Sequence, residues 1–144
     1  MWKKIFWATP ALLLVLTTAC WAGLLGNDYN YITARQLKGW LENGKPVLIA
    51  DIQVAEEFAA HHLKGAVETN AYPVKSDGDR HKIDPVLAAY RQTGRDIVVV
   101  CPRGKGGAKR CYDYLKASGI TESHLTILEG GMGKWPFPEL VAGH

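Results

Sequence analysis

The stretch Asp96-Ile97-Val98-Val99-Val100-Cys101-Pro102-Arg103-Gly104-Lys105-Gly106-Gly107 decides the fold of this chain. Residues 96–100 are mostly β-branched and show no polar alternation, which predicts a strand buried on both faces in the centre of a sheet. A basic, glycine-rich loop from Cys101 to Gly107 follows it, and a helix is predicted next. The apolar face of that helix consists of Ala108, Cys111, Tyr112 and Leu115, and Ser118-Gly119 marks its end.

The segments on either side repeat this alternation of helix and strand. Thr33 is predicted to cap a helix that ends at Asn43-Gly44, and Pro46–Asp51 is a second continuously apolar strand. The remaining predicted elements are a helix carrying Val54 and Phe58, a short strand from Gly65, a helix capped by Asp84, opened by Pro85 and ended by Gly94, and a strand at Leu125–Leu128. This order predicts an α/β fold with an open, mainly parallel sheet and helices on both faces. The working site of such a sheet lies at the carboxyl ends of its strands, where Cys101 is placed.

Length and composition indicate one globular domain. The chain has 144 residues, of which 47% are hydrophobic and 22% charged, and its formal net charge is +3. When Lys3 and Lys4 leave with the N-terminal signal described next, the 17 basic residues fall to 15 against 14 acidic ones. This balance gives no electrostatic reason to expect a nucleic-acid partner.

Residues 1–22 have the pattern of an export signal. Lys3 and Lys4 form a basic start, an apolar stretch runs from Ile5 to Leu16, and small residues follow at 17–19. A retained anchor helix is disfavoured, because Pro10 interrupts the stretch and a membrane span needs roughly 20 apolar residues.

Two kinds of processing fit this signal. Lipoprotein processing leaves Cys20 as an acylated first residue, and ordinary signal peptidase cuts after Ala19 or Ala22. Either one predicts an exported protein of the periplasm or cell envelope. Lipoprotein processing alone would add a membrane contact, the lipid anchor at Cys20. Residues 23–30 are then a tether, and residues 31–144 the folded domain.

Cys101 is the predicted reactive group. A thiol beside basic residues or at a helix N-terminus is ionised more readily than a free thiol, and Cys101 is expected to have both neighbours. The glycines at 104, 106 and 107 let successive main-chain N–H groups converge in an anion-binding nest. Arg103 and Lys105 are expected to hold an anionic substrate next to the sulfur, while Pro102 stiffens the start of the loop.

Four sequence marks in order resemble the single-domain rhodanese family between about Tyr31 and Trp135. They are the strand end at Asp51, the turn His62-Leu63-Lys64-Gly65-Ala66, Cys101 with Gly104 three residues later, and Leu128-Glu129-Gly130-Gly131 followed by Trp135. The resemblance implies a five-stranded parallel sheet flanked by helices, and transfer of sulfane sulfur through a cysteine persulfide with no cofactor.

The same resemblance assigns roles to the site residues and partners. Cys101 is the implied nucleophile, Asp51 a supporting hydrogen-bond acceptor, and the substrate-binding loop consists of Pro102, Arg103, Gly104, Lys105, Gly106 and Gly107. The implied partners are a small anionic sulfur donor, a thiol or cyanide-like acceptor and, in an exported protein, a redox protein of the envelope.

The chain departs from the family at two positions. Many catalytic members carry Arg or Lys where this chain has Gly106, and the family often has Asp-Val-Arg where this chain has Asp51-Ile52-Gln53. Both departures remove positive charge and weaken the case for thiosulfate as the donor.

The other candidate residues favour structural roles. Cys111 shares a helix face with apolar residues and is expected in the core, although export to an oxidising compartment leaves a disulfide with Cys101 open. His61 and His62 diverge on a helix and the other histidines lie singly, so no metal site is predicted.

Three functions remain open at this point. The first is a sulfurtransferase, and the second is a catalytically weak module that binds an anion or a redox partner with the same pocket. The third, a phosphatase or arsenate reductase, is disfavoured because the loop has no Arg at its far end to clamp transition-state oxygens.

Overall fold

The computed structural model describes residues 28–143 and shows an α/β fold. The predicted signal at 1–22, the lipidation candidate Cys20, most of the tether and the final residue His144 lie outside the described residues. Within residues 28–143, no helix is both long and apolar enough to cross a membrane.

The main sheet has five parallel strands, as predicted. These strands are β1 (Tyr31–Ile32), β2 (Val47–Asp51), β4 (Val67–Glu68), β5 (Asp96–Val100) and β6 (Leu125–Leu128). Their spatial order is β1-β6-β5-β2-β4, which puts β5 in the centre. The register sets Asp51 at the end of β2 opposite Val100 at the end of β5. A separate antiparallel pair consists of β3 (His62–Leu63) and β7 (Val141–Ala142).

Helices cover both faces of this sheet. They are α1 (Ala34–Glu42), α2 (Ala55–Ala60), α3 (Asp77–His81), α4 (Asp84–Thr93) and α5 (Gly106–Ala117), with short 3₁₀ turns at Glu122–His124, Met132–Lys134 and Pro138–Leu140. Ile97 and Val99 of β5 lie in one apolar cluster with residues of α4 and α5. Val98 and Val100 lie in another with Leu37 of α1 and Trp135. Alternate residues of β5 therefore pack into two different apolar clusters, which is why residues 97–100 show no polar alternation.

The predicted helix ends are largely confirmed. Thr33 caps α1: its hydroxyl accepts a hydrogen bond from the Gln36 N–H at 3.2 Å, and its own N–H donates to Gln36 Oε1 at 3.0 Å. Gly44 and Gly94 have positive φ angles of 69° and 63° after α1 and α4. Each is the residue in left-handed conformation that commonly ends an α-helix.

Three local predictions were wrong. One placed His61 and His62 on a helix, but α2 ends at Ala60, His61 has an extended backbone and His62 begins β3. Asp84 does not cap α4 but is its first helical residue, because the chain passes from α3 through Lys82 and Ile83 in helical conformation and leaves no extended cap position. Its carboxylate accepts a 2.8 Å hydrogen bond from the Tyr114 hydroxyl of α5 instead. The strand predicted from Gly65 begins at Val67, since Gly65 has a φ of 79° and forms a turn.

The segment after β6 is hydrogen-bonded to the loop that follows β5. The N–H of Met132 donates to the Cys101 carbonyl, and the N–H of Gly133 donates to the Pro102 carbonyl, each at 2.9 Å. Gly131 has a φ of 59°, and a side-chain Cβ there would lie 2.0 Å from the Cys101 carbonyl oxygen. Only glycine permits this approach of the two backbones.

We predict that Gly131→Ala destabilises the protein much more than Gly94→Ala. Gly94 has a similar φ, but no heavy atom lies within 4 Å of the position that its Cβ would take, so its substitution costs only the left-handed conformation, about 1 kcal/mol. Gly131→Ala adds the collision with the Cys101 carbonyl and should cost about 3 kcal/mol or more. Urea unfolding of the two variants measures the difference, and equal losses would contradict the close approach.

Candidate active site

Cys101 lies immediately after the central strand, at the carboxyl edge of the sheet. Its side chain is only 2% exposed and packs in the same apolar cluster as Ala108 and Cys111. Its sulfur accepts a hydrogen bond from the Gly104 N–H, with 2.9 Å between nitrogen and sulfur. Complete enclosure by apolar neighbours would contradict a reactive role, so the surroundings of the sulfur decide the chemistry.

One side of Cys101 opens onto a small pocket. The pocket has a volume of about 80 Å³ and is lined by Tyr72, Cys101, Pro102, Arg103, Lys105, Gly106 and Gly107. Two of these side chains, Arg103 and Lys105, carry positive charge. A small anion can therefore reach the edge of the thiol, while the rest of Cys101 remains in the core.

The main-chain environment of the sulfur differs from the predicted nest. Within residues 28–143, the Gly104 N–H is the one amide that donates to the sulfur, because the φ of 65° at Gly104 turns it inward. Gly106 and Gly107 belong to the first turn of α5 rather than to the loop. Their N–H groups have no acceptor among the described residues, as is usual in a first helical turn, and both glycines line the pocket. The positive end of α5 thus replaces the expected convergence of loop amides.

A larger cavity lies on the other side of the same loop. It measures about 470 Å³ and is lined by Pro102, Arg103, Gly104, Lys105, Gly130, Gly133 and Lys134. The larger cavity does not include Cys101, but it shares Pro102, Arg103 and Lys105 with the smaller pocket. The loop that begins with Cys101 therefore lies between the two spaces.

Asp51 is buried at the end of β2 and is held by Gln53. Asp51 Oδ1 accepts from the Gln53 N–H at 2.9 Å, and Oδ2 accepts from Gln53 Nε2 at 3.1 Å. Gln53 Nε2 also donates to the His61 carbonyl at 3.0 Å. Burial raises the pKa of Asp51 from 3.8 to about 6, against the lowering effects of the Gln53 hydrogen bonds and of His62. The hydrogen bonds between Asp51 and Gln53 therefore fix the chain next to the site. Gln53 is neutral and adds no positive charge there.

We predict that Asp51 makes the protein less stable as the pH rises through about 6. The folded-state pKa lies above the unfolded value, so Asp51 favours folding fully below about pH 4 and loses this contribution as its carboxyl ionises. A shift of this size corresponds to at most about 3 kcal/mol. Urea unfolding of the wild type and of Asp51→Asn between about pH 4 and about pH 8 measures this contribution. The contributions of the other titratable groups cancel when the two free energies of unfolding are subtracted. A difference that stays constant with pH would contradict the raised pKa.

Tyr72 and Arg110 are site residues that the sequence did not indicate. The Tyr72 ring forms one wall of the pocket and packs against Gly107, where a Cβ would lie 2.9 Å from the ring. Arg110 donates from Nε and Nη2 to the Pro73 carbonyl at 2.9 and 2.8 Å. Its Nη1 lies 3.1 Å from where a Cβ of Gly106 would be. The adjacent glycines Gly106 and Gly107 were the available sequence signal that side chains pack closely here. The sequence does not show which side chains these are, because they lie at other positions in the chain.

Among the remaining candidates, Cys111 lies in the apolar core, as expected. Cys111 is fully buried, burial raises the pKa of its thiol, and neither Cys101 nor Cys111 is in a disulfide. His61 lines a third cavity, with Gln53 and Glu57. Residues 28–143 contain no group of three or more metal-binding side chains.

Comparisons with known proteins identify relatives of this fold. A model of the Rhodanese-like domain family matches residues 33–136. No curated protein sequence matches the chain. Among solved structures, a rhodanese-like domain protein from Staphylococcus aureus is 29% identical, with a TM-score of 0.59 over 80% of this chain and 98% of that chain.

Two further solved structures share the fold at lower identity. Ygr203w of Saccharomyces cerevisiae, described as a homolog of single-domain rhodanese and the Cdc25 phosphatase catalytic domain, is 14% identical, with a TM-score of 0.67 over 81% of this chain and 88% of that chain. The As-Sb reductase of Leishmania major is 15% identical, with a TM-score of 0.62 over 81% of this chain and 86% of that chain. At these identities the likeness concerns the fold alone.

Proposed function

The chain belongs to the rhodanese-like domain family, and on this premise we propose that it is a sulfurtransferase that moves sulfane sulfur through a persulfide on Cys101. The observation that carries the proposal is the position of the Cys101 sulfur. It accepts the Gly104 N–H on one side and borders a small pocket with Arg103 and Lys105 in its wall. These groups place one N–H donor and two positive charges beside the sulfur, where an anionic donor can bind.

The proposed reaction has two steps. The Cys101 thiolate attacks the outer sulfur of an anionic donor, a new S–S bond forms, and the donor's own bond to that sulfur breaks with its electron pair leaving on the donor remnant. In the second step a nucleophilic acceptor, a thiolate or cyanide, attacks the terminal sulfur and restores the Cys101 thiolate. Arg103 and Lys105 hold the anionic donor during the first step.

A second candidate is a catalytically weak module that binds an anion or an envelope redox partner. The near-complete burial of Cys101 and the lack of a cation at Gly106 favour it. A phosphatase or arsenate reductase remains the least supported function. Its transition state needs an Arg at the end of the loop, and the space beside Gly107 is filled by the Tyr72 ring.

We predict that Cys101→Ser abolishes sulfur loading and that Cys111→Ala retains it. Purified protein is reduced and incubated with thiosulfate or a polysulfide, and the intact mass is then measured. The wild type and Cys111→Ala should gain the mass of one sulfur atom, which cyanide removes as thiocyanate. Cys111→Ala serves as the matched control because it removes a buried thiol that the mechanism does not use.

Two results of this assay would change the assignment. If no donor loads the reduced wild-type protein, the sulfurtransferase is excluded and the binding module stands. If both variants lose loading while both remain folded, the two thiols act together as a redox pair.

We propose further that the protein is exported and works in the periplasm or cell envelope, where a redox protein is its partner. The support is the sequence of residues 1–22. Mass spectrometry of the mature N-terminal peptide tests this proposal. An acylated Cys20 establishes the lipid anchor, an unmodified start at Cys20 or Gly23 establishes a cleaved form without an anchor, and an intact Met1 contradicts processing.

A further inference from the structure

The Tyr72 ring lies in the wall of the pocket that opens onto Cys101, and the proposed reaction assigns it no role. We propose that Tyr72 is a specificity-determining residue that limits the size of the sulfur donor. Compact anions load Cys101, and donors with an organic ring beside the reacting sulfur are excluded. This inference rests on the proposed function, because it names the class of donor that the same site accepts.

The pocket beside Cys101 is small enough for such a limit. It has a volume of about 80 Å³, whereas sites for drug-sized ligands usually measure about 300–1,000 Å³. A water molecule in the liquid takes up roughly 30 Å³, so the pocket has room for only a few atoms. A donor that consists of little more than sulfur and oxygen fits this space, and a donor with a ring must displace part of the wall.

Tyr72 is the part of the wall that resists displacement. Arg103 and Lys105 have long, exposed side chains that can turn aside, and Gly106 and Gly107 have none. The Tyr72 ring is rigid, and it packs so closely on the start of α5 that a Cβ at Gly107 would lie 2.9 Å from it. Tyr72 is 39% exposed while Cys101 is 2% exposed, so the ring lies at the mouth of the pocket.

The backbone of Tyr72 is tied to the strand that carries Cys101. The Tyr72 N–H donates to the Ile52 carbonyl at 2.8 Å. The Ile52 N–H in turn donates to the carbonyl of Val100, the residue directly before Cys101, at 2.9 Å. These two hydrogen bonds fix the position of Tyr72 relative to the reactive residue.

The residues after Tyr72 are held as firmly. Arg110 of α5 donates from Nε and Nη2 to the Pro73 carbonyl at 2.9 and 2.8 Å. Val74 is fully buried with a φ of 60°, and its N–H donates to the Ala71 carbonyl at 2.8 Å. A β-branched residue keeps this left-handed conformation only where its surroundings impose it. Arg110 is therefore a positioning residue, which acts on the donor through Tyr72.

Two thiosulfonates separate donor size from donor chemistry. With either one, the Cys101 thiolate attacks the outer sulfur and an S–S bond forms. The bond from that sulfur to the sulfonyl sulfur breaks, and its electron pair leaves on the sulfinate, so no oxidant or reductant is added. Methanethiosulfonate and benzenethiosulfonate carry the same charge and differ in the size of the group beside the reacting atoms. Their difference in intrinsic reactivity cancels when variants of the protein are compared.

The test measures kcat/KM for each donor as thiocyanate formation with cyanide as the acceptor. This constant reports the loading of Cys101, because cyanide reacts only afterwards. Tyr72→Ala should raise the ratio of kcat/KM for benzenethiosulfonate to that for methanethiosulfonate about tenfold or more, the discrimination that a pocket achieves against one small group. Tyr72→Phe keeps the ring and should keep the wild-type ratio.

Tyr31→Ala is the matched control. Tyr31 is 41% exposed, close to the value for Tyr72, and it lines none of the three spaces that residues 28–143 form around the loop. Its substitution should leave the ratio unchanged. Urea unfolding of each variant establishes that it is folded.

Arg110→Ala gives a second readout with the Tyr72 ring still present. It removes a positive charge, which affects two donors of equal charge alike, and it releases the Pro73 carbonyl. The ratio should therefore rise, but by less than in Tyr72→Ala. An equal effect on both donors would contradict the positioning role of Arg110.

An unchanged ratio in folded Tyr72→Ala, or an equal rise in Tyr31→Ala, would overturn the inference while methanethiosulfonate still loads Cys101. Absence of loading by both donors would instead remove the proposed function, and the limit on donor size with it.

Discussion

The site depends on the contact between two backbones, the loop after β5 and the glycine-rich segment after β6. The carbonyls of Cys101 and Pro102 accept from Met132 and Gly133, and Gly131 comes so close that no side chain fits. Buried carbonyls without partners are costly, so this contact fixes the direction in which the loop leaves the sheet. The inward turn of the Gly104 N–H and the small pocket beside the sulfur follow from that direction.

Charge is distributed unevenly around the site. On the β2 side, the buried Asp51 is satisfied by the neutral amide of Gln53, which also holds the His61 carbonyl. On the other side, Arg103, Lys105 and Lys134 surround a single cavity. Positive potential therefore reaches Cys101 from the loop and from the segment after β6, and it attracts anions to that side.

The sequence predicted the large elements and missed the small ones for physical reasons. β2 and β5 are uninterrupted apolar runs and α1 has a complete capping box, so periodicity and end signals identify them. β1, β3 and β7 each have two residues, too few to show a period, and α3 is a five-residue helix with no buried side chain. Cys101 and its loop were identifiable because strand, glycines and charges are contiguous. Tyr72, Arg110 and Lys134 reach the site only through the tertiary fold, which no local pattern encodes.

The departure at Gly106 belongs to a coupled arrangement rather than to a simple loss of charge. The guanidinium of Arg110 lies against the face of Gly106 and is tied to the Pro73 carbonyl, and the preceding residue, Tyr72, closes the pocket against Gly107. An Arg or Lys at 106 would place a second cation against this guanidinium, and any side chain at 107 would push Tyr72 outward. With glycine at both positions, the end of the loop has no cationic side chain of its own. The Tyr72 ring forms the pocket wall there instead, and Arg110 holds the neighbouring Pro73. In the proposed reaction, the cations of this pocket that can bind an anionic donor are therefore the two that come earlier in the loop, Arg103 and Lys105.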